Sequence, residues 1–411
     1  MKFSQLNRRD FLALGLASTL AGIGDLAFAQ NVKKVNSLLN VPNMPHPFIV
    51  VFLRGGADGL SILSPLDDPD FLAARPPEMR FSIAASSGKV DLSGTTLYWH
   101  PEAASLADLF TNQKLIAWPA IGLTDETRSH FEAQEIMERG VNSLNTLPDD
   151  YGWMARQVIS RNKFQTNSIP LFAGNNNSPK SLQGAHRAIA VRDLQNGISL
   201  PNGDRGFEAV SALCDADLKA IAAPWMKDHL GNLEFINQVI SKGKTKPELY
   251  EGSGKTSYPD TDPGVGLRSV ARLITANVGL QYAWVDQGGW DTHENQPGRL
   301  NSLIKNLGTS LAAFAEDMQA KGKPYTLVVM TEFGRRLRSN RSNGTDHGHG
   351  SLGMILGSHV PGGQVRGRWP GLTTTALDKG VDLSVTTDYQ KFLSTAFSYG
   401  GQRGIRTPDT L

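Results

Sequence analysis

The sequence predicts an α/β fold with a doubly wound, mostly parallel sheet flanked by helices. Short apolar, β-branched runs of strand length alternate with stretches of helical periodicity. Each run stops at a glycine-rich or polar turn, as strands buried on both faces do. Glycine also supplies 42 of 411 residues, about 10% against a usual ~7%, which suits many tight turns.

The first strand is Phe48-Ile49-Val50-Val51-Phe52-Leu53, ended by Arg54-Gly55-Gly56-Ala57-Asp58-Gly59. A helical pattern over residues 102–110 precedes a second strand at 115–120. Ser129, followed three residues later by Glu132, has the capping-box spacing and starts a helix over 131–139. A third strand is expected at 281–285. A helix over 299–320 leads to a fourth at 325–330, and a fifth follows at 352–356. Residues 141–265 are less regular and read as an elaboration on a single domain spanning 30–399, with 241–266 as a long surface loop. Residues 400–411 have no apolar periodicity and read as an irregular tail.

Composition removes several function classes. Lys plus Arg is 41, Asp plus Glu is 39, and the net charge is +2. No nucleic-acid partner is expected from that balance. The apolar content of 40% excludes a disordered chain. Cys214 is the single cysteine, so intrachain disulfides and cysteine metal clusters are excluded.

The amino terminus reads as an address. Arg8-Arg9 precedes an apolar stretch from Phe11 to about Gly24, too short to span a bilayer, and Ala27-Phe28-Ala29 is a small-x-small cleavage pattern. Residues 1–29 are therefore expected to be a twin-arginine signal peptide, with the twin-arginine export machinery as partner and the periplasm or exterior as destination. No second apolar run of membrane length exists, so no stable membrane span is expected.

Chemistry-bearing residues gather just past the predicted strand ends, where open α/β sheets bind ligands. Asp58 is either a metal ligand or a turn residue bonding its own backbone. Ser129 is either a nucleophile at a helix N-terminus, with Arg128 beside it, or a plain cap. Asp291 and His293 follow a Gly-Gly turn and can offer two ligands to one ion. Glu332 is a candidate ligand, and Arg335 a fork for an anion. The densest cluster is Asp346-His347-Gly348-His349. A carboxylate and two imidazoles so crowded favour a bound cation. Together these residues can supply one or two divalent ions (zinc, manganese or calcium). Gly252-Ser253-Gly254-Lys255-Thr256 resembles a phosphate loop, but Leu249 stands where its first glycine belongs and no strand precedes it.

In this order, the twin-arginine leader, Leu53-Arg54-Gly55-Gly56-Ala57-Asp58-Gly59-Leu60, Arg128-Ser129-His130-Phe131-Glu132-Ala133-Gln134, Gly289-Trp290-Asp291-Thr292-His293, Thr331-Glu332-Phe333-Gly334-Arg335 and Asp346-His347-Gly348-His349-Gly350 resemble the exported family called domain of unknown function fifteen-oh-one. That family is similar in layout to the alkaline phosphatase and sulfatase superfamily. The resemblance implies metal ligands after the strands and a nucleophile that attacks a phosphate or sulfate ester. It matches Asp58 to the first ligand, Ser129 to the nucleophile, Asp291 and His293 to the next ligand pair, Glu332 to a later carboxylate, and His347 or His349 to the last histidine. Glu332-Phe333 stands where that superfamily usually has Asp-His, and no Cys-x-Pro-x-Arg stretch exists, which excludes a formylglycine sulfatase. The expected activity is hydrolysis of a small or polymeric phosphate or sulfate ester. The competing expectation is a non-catalytic exported protein that binds a metal or an anion. A redox metalloenzyme is the third, since two histidines and a carboxylate also hold iron.

Overall fold

The computed structural model describes residues 44–400 except 93, 145–150, 161–167, 186, 196, 199–203, 216–222 and 243–246. Residues 1–29, expected to be a signal peptide, and the expected tail beyond residue 400 lie outside the described residues. From the amino end the elements are β1 (Phe48–Leu53), α1 (Gly59–Ile62), β2 (Leu63–Ser64), α2 (Pro69–Ala74), β3 (Gly88–Leu92), β4 (Thr95–Trp99), α3 (Ala104–Thr111), β5 (Leu115–Gly122), α4 (His130–Arg139) and α5 (Trp153–Ile159). They continue with β6 (Leu171–Ala173), β7 (Ala188–Ala190), α6 (Asp204–Asp215), α7 (Ala223–Ser241), α8 (Gly264–Thr275), β8 (Tyr282–Gln287), α9 (Gln296–Ala320), β9 (Thr326–Met330), β10 (Ser351–Gly357), β11 (Gln364–Val365), β12 (Thr387–Asp388) and α10 (Tyr389–Gly400).

The main sheet has the order β11-β5-β10-β9-β1-β8-β6-β7, with β12 added on β5, and β2, β4 and β3 form a small second sheet. β1 is fully buried and runs parallel to both β8 and β9. Period-2 alternation splits its side chains between two cores. Ile49, Val51 and Leu53 join the side packed by α3, α8 and α9. Phe48, Val50 and Phe52 join the side packed by α4, α5 and α10. Burial of each such side chain stabilises by roughly 1.5–3 kcal/mol. β10 is the exception to parallel order, pairing antiparallel with β5 and β9.

Local sequence sets the helix ends. α4 starts where Ser129 accepts from the Glu132 N–H and stops at Gly140, whose left-handed φ of 67° suits glycine. α9 buries Leu300, Ile304, Leu307, Leu311, Phe314 and Met318, a stripe at helical spacing. Residues 141–265 do more than decorate the domain, because β6 and β7 pair in parallel and extend the main sheet beyond β8. The surface loop after α7 is tied to α9: the Ser253 and Thr256 amides donate to Asp317 and Glu316 at 2.9 and 2.8 Å. These carboxylates occupy amides that a phosphate loop would leave free.

The topology gathers one edge. β1, β5, β8 and β9 all end there, and antiparallel β10 begins there, with Ser351 opposite Ile121 of β5. Every loop with clustered polar residues therefore opens on that edge.

Candidate metal centre

His130 is the first residue of α4, in the connection that leaves β5. Asp291 and His293 follow the Gly288-Gly289 turn after β8. His347 lies in the loop leading into β10. His130, Asp291 and His347 each bring one ligand atom into a group lying within 4.8 Å of one another. The Asp291 Oδ1 atom is the hub. Nε2 of His293, His347 and His130 approaches it to 3.0, 3.3 and 3.5 Å. His293 and His347 face each other Nε2 to Nε2 at 2.9 Å.

The other nitrogen of each ring settles what faces the hub. Nδ1 of His130 is 2.8 Å from Glu332 Oε1, Nδ1 of His347 is 2.8 Å from the Arg128 carbonyl, and Nδ1 of His293 is 3.2 Å from Asp346 Oδ1. All three partners accept at those distances, so each Nδ1 carries the proton and donates it. In its neutral form each ring would then turn a bare Nε2 lone pair toward Asp291. Three lone pairs and a carboxylate oxygen repel one another unless a proton or a cation lies among them. His130 Nε2 is buried and has no hydrogen-bond partner. An imidazole held from behind by a carboxylate or carbonyl is the usual arrangement of a metal-ligating histidine, so these residues fit a divalent ion.

The surroundings push the half-buried His130 and His347 rings in opposite directions. Hydrogen bonding to Glu332 raises the His130 pKa against the effect of burial. Burial lowers that of His347, while the Arg128 carbonyl and Asp291 work the other way. Burial alone would raise the Asp291 carboxyl, but the Arg335 hydrogen bond and charge, with His293, bring it down to about 2. The hub is thus an anion at any physiological pH. The side chains of Asp291 and His293 are 48% and 44% exposed, so the centre opens to solvent on one side.

The other residues singled out from sequence lie around this centre. Glu332 is fully buried. Its Oε1 accepts from Gly55 N, Gln134 Nε2 and His130 Nδ1 at 2.8–2.9 Å, and its Oε2 accepts from Thr331 at 2.9 Å. Burial would raise its pKa, but the bonds from His130, Gln134 and Gly55 hold it low. Glu332 therefore backs a ligand and does not face the open side. Asp346 also bonds a ring from behind, that of His293, but its side chain is half exposed. Asp58 stands apart, in a buried ion pair at 2.7 Å with Arg75 and accepting from Ser61 and Gln296 at 2.7 Å. His349 turns away, with Nδ1 on Asp378 and Nε2 on the Leu123 carbonyl, both at 2.8 Å.

Neither arginine is free for an anion. Arg128 pairs with Asp378 and Asp382 at 3.0 and 2.7 Å. Arg335 is fully buried and bonds Asp291 Oδ1 at 2.6 Å, the Gly56, Thr345 and Trp290 carbonyls at 2.7–3.1 Å, and the Gly55 carbonyl. It clamps the loops together. The Ser129 hydroxyl caps α4 through a long 3.5 Å contact with the Glu132 N–H.

His130 is the residue the sequence reading passed over. The available signal was its place directly after the cap: the first residue of a helix that leaves a sheet's carboxyl edge.

Residues 240–399 match the family described as a protein of unknown function, DUF1501. That is the family the sequence resembles. The matched stretch carries Asp291, His293 and His347, while His130 precedes it. No curated protein matches the sequence. Among solved structures, the C-terminal periplasmic domain of EcEptC from Escherichia coli, in complex with zinc, is similar at 10% identity. The similarity covers 79% of this chain and 76% of that one, with a TM-score of 0.35.

Proposed function

We propose that the chain is an exported metal-dependent hydrolase of phosphate or sulfate esters. One observation carries the reading: three imidazole Nε2 atoms, each on a ring whose Nδ1 is bonded elsewhere, surround one carboxylate oxygen on a solvent-open edge. His130, Asp291 and His347 would hold the ion, with His293 beside them. Structural zinc sites are closed by protein ligands, whereas catalytic ones keep an accessible position, and the exposed side at Asp291 and His293 suits the second kind. A bound divalent ion would supply Lewis-acid activation of an ester oxygen and its attacking group.

The chain's own groups prepare the site. Glu332, the Arg128 carbonyl and Asp346 fix the ring tautomers, and Arg335 fixes the carboxylate. Ser129, next to His130 and weakly held by its cap contact, is the proposed nucleophile. The leader pattern supports export to the periplasm, and no described helix is long and apolar enough to cross a membrane. The commitment of Arg128 and Arg335 to carboxylates favours a second reading, a non-catalytic metal-binding protein.

The test joins metal content to turnover. Chain purified without a metal-binding tag and reloaded with zinc or manganese is expected to hydrolyse aryl phosphates or sulfates. His130→Ala should lose both metal and activity. Ser129→Ala should keep its metal, lose about 1 kcal/mol of stability as a cap is removed, and lose turnover. Full turnover in Ser129→Ala would leave water as the attacking group. A metallated protein inert toward both ester classes would favour the second reading.

A further inference from the structure

Building on the metal-dependent reading above, we propose that the centre takes a single divalent ion per chain, because a buried guanidinium, Arg75, already holds Asp58, the carboxylate that a second ion would need. The sequence offers carboxylates enough for two ions. The structure gives two of them permanent cations. Arg75 and Asp58 are both buried, at 0% and 1% exposure, and meet at 2.7 Å. The remaining Arg75 donors go to Ser61 Oγ at 3.2 Å and to the Leu337 and Arg336 carbonyls at 2.5 and 2.9 Å. Arg335, also at 0% exposure, takes Asp291 Oδ1 at 2.6 Å. A guanidinium stays charged at any accessible pH, so neither pair can be opened by losing a proton.

Asp58 is also connected to the metal-bearing loops rather than part of them. Gln296 donates to its Oδ2 at 2.7 Å, and the Gln296 carbonyl oxygen accepts from Thr292 and Thr345, the neighbours of His293 and Asp346, at 2.8 and 2.6 Å. An uncharged amide thus separates the Asp58–Arg75 pair from the centre. Charge balance points the same way. Among groups bonded to the three imidazoles or to the hub, Asp291, Glu332 and Asp346 are anionic and Arg335 is cationic. Two negative charges remain, and one divalent ion neutralises them. A second would leave an unmatched positive excess in a partly buried site, beside a guanidinium it cannot displace. The opening left at Asp58 is Oδ1, buried and without a hydrogen-bond partner, whose charge Arg75 already matches.

Manganese(II) counts the ions. Full chain stripped with chelator, reloaded in millimolar manganese and desalted should contain one ion per chain by elemental analysis. Its electron paramagnetic resonance spectrum should show the six lines of an isolated ion. Two ions per chain with an exchange-coupled spectrum would overturn this inference and leave the hydrolase reading standing. No bound manganese or zinc would overturn both. Arg75→Met exposes the uncompensated Asp58 and should bind a second ion, and adding Asp58→Asn should return the count to one. A count of one in folded Arg75→Met would remove Arg75 from the role. Should Arg75→Met not fold, the wild-type count and spectrum decide alone.

Discussion

Glu332 decides which nitrogen His130 offers. Its Oε1 receives three donors, and only one of them is the ring. Glu332→Gln can keep that oxygen in place and turn its amide toward Thr331 Oγ1, which can accept it while donating to the Leu53 carbonyl. The tautomer is then kept but the negative charge behind the ring is lost. We expect metal affinity to fall by about 10–100-fold with the fold intact, measured by competition with a chelator. Unchanged affinity would mean that Glu332 only braces the loop after β9. The same residue marks the limit of sequence reading at this scale. A carboxylate just past a strand was legible as part of the polar cluster. Whether it touches the ion or the ring behind the ion depends on donors from Gly55 and Gln134, 277 and 198 positions away. His349 was no easier to place, since its partners, Asp378 and the Leu123 carbonyl, are also distant in sequence.

At the scale of elements, the glycines between the clusters hold loops together rather than loosen them. A Cβ on Gly344 would lie 2.1 Å from the backbone carbon and oxygen of His293. The loop before β10 and the loop after β8 therefore touch backbone to backbone, which brings His347 to His293. Gly344→Ala should cost about 1–3 kcal/mol by overpacking, read as a lower urea midpoint, and should weaken metal binding as His293 is displaced. Gly288→Ala, where nothing lies within 4 Å of the added carbon, is the control and should stay within about 0.5 kcal/mol. Elements themselves were largely legible. The five long apolar runs became β1, β5, β8, β9 and β10 with ends shifted by one or two residues, because strands buried on both faces need continuous apolar sequence. Strand direction was not, since the run that forms β10 reads the same in either orientation. The short strands β6 and β7 were missed because three residues carry no periodicity.

For the whole molecule, two histidines outside the candidate metal centre should contribute to the acid response. His46 lies against the start of β9, 2.9 Å from Thr326 Oγ1, and burial together with the charge of His359 brings its pKa down to about 4. His100 caps the turn after β4, its Nδ1 accepting from the Glu102 N–H at 3.1 Å, and burial brings it to about 4 although Glu102 pulls the other way. Unfolded histidine titrates near 6.5. Between about 6.5 and 4 the unfolded chain therefore binds protons that the folded chain refuses. Unfolding then takes up protons, so stability is full above about pH 6.5 and declines as pH falls toward 4. Urea midpoints from pH 7.5 to 4.5, taken in chelator so that metal release does not contribute, should fall along that window. His46 precedes β1 at the amino end of the sheet, whereas His100 lines a cavity with Ser61 and Gln296, so His46→Gln is the substitution that leaves the site untouched. His46→Gln with His100→Asn keeps a polar partner for Thr326 and an acceptor for the turn, and should flatten the slope. An equally steep decline in that variant would move the acid sensitivity to groups other than these two.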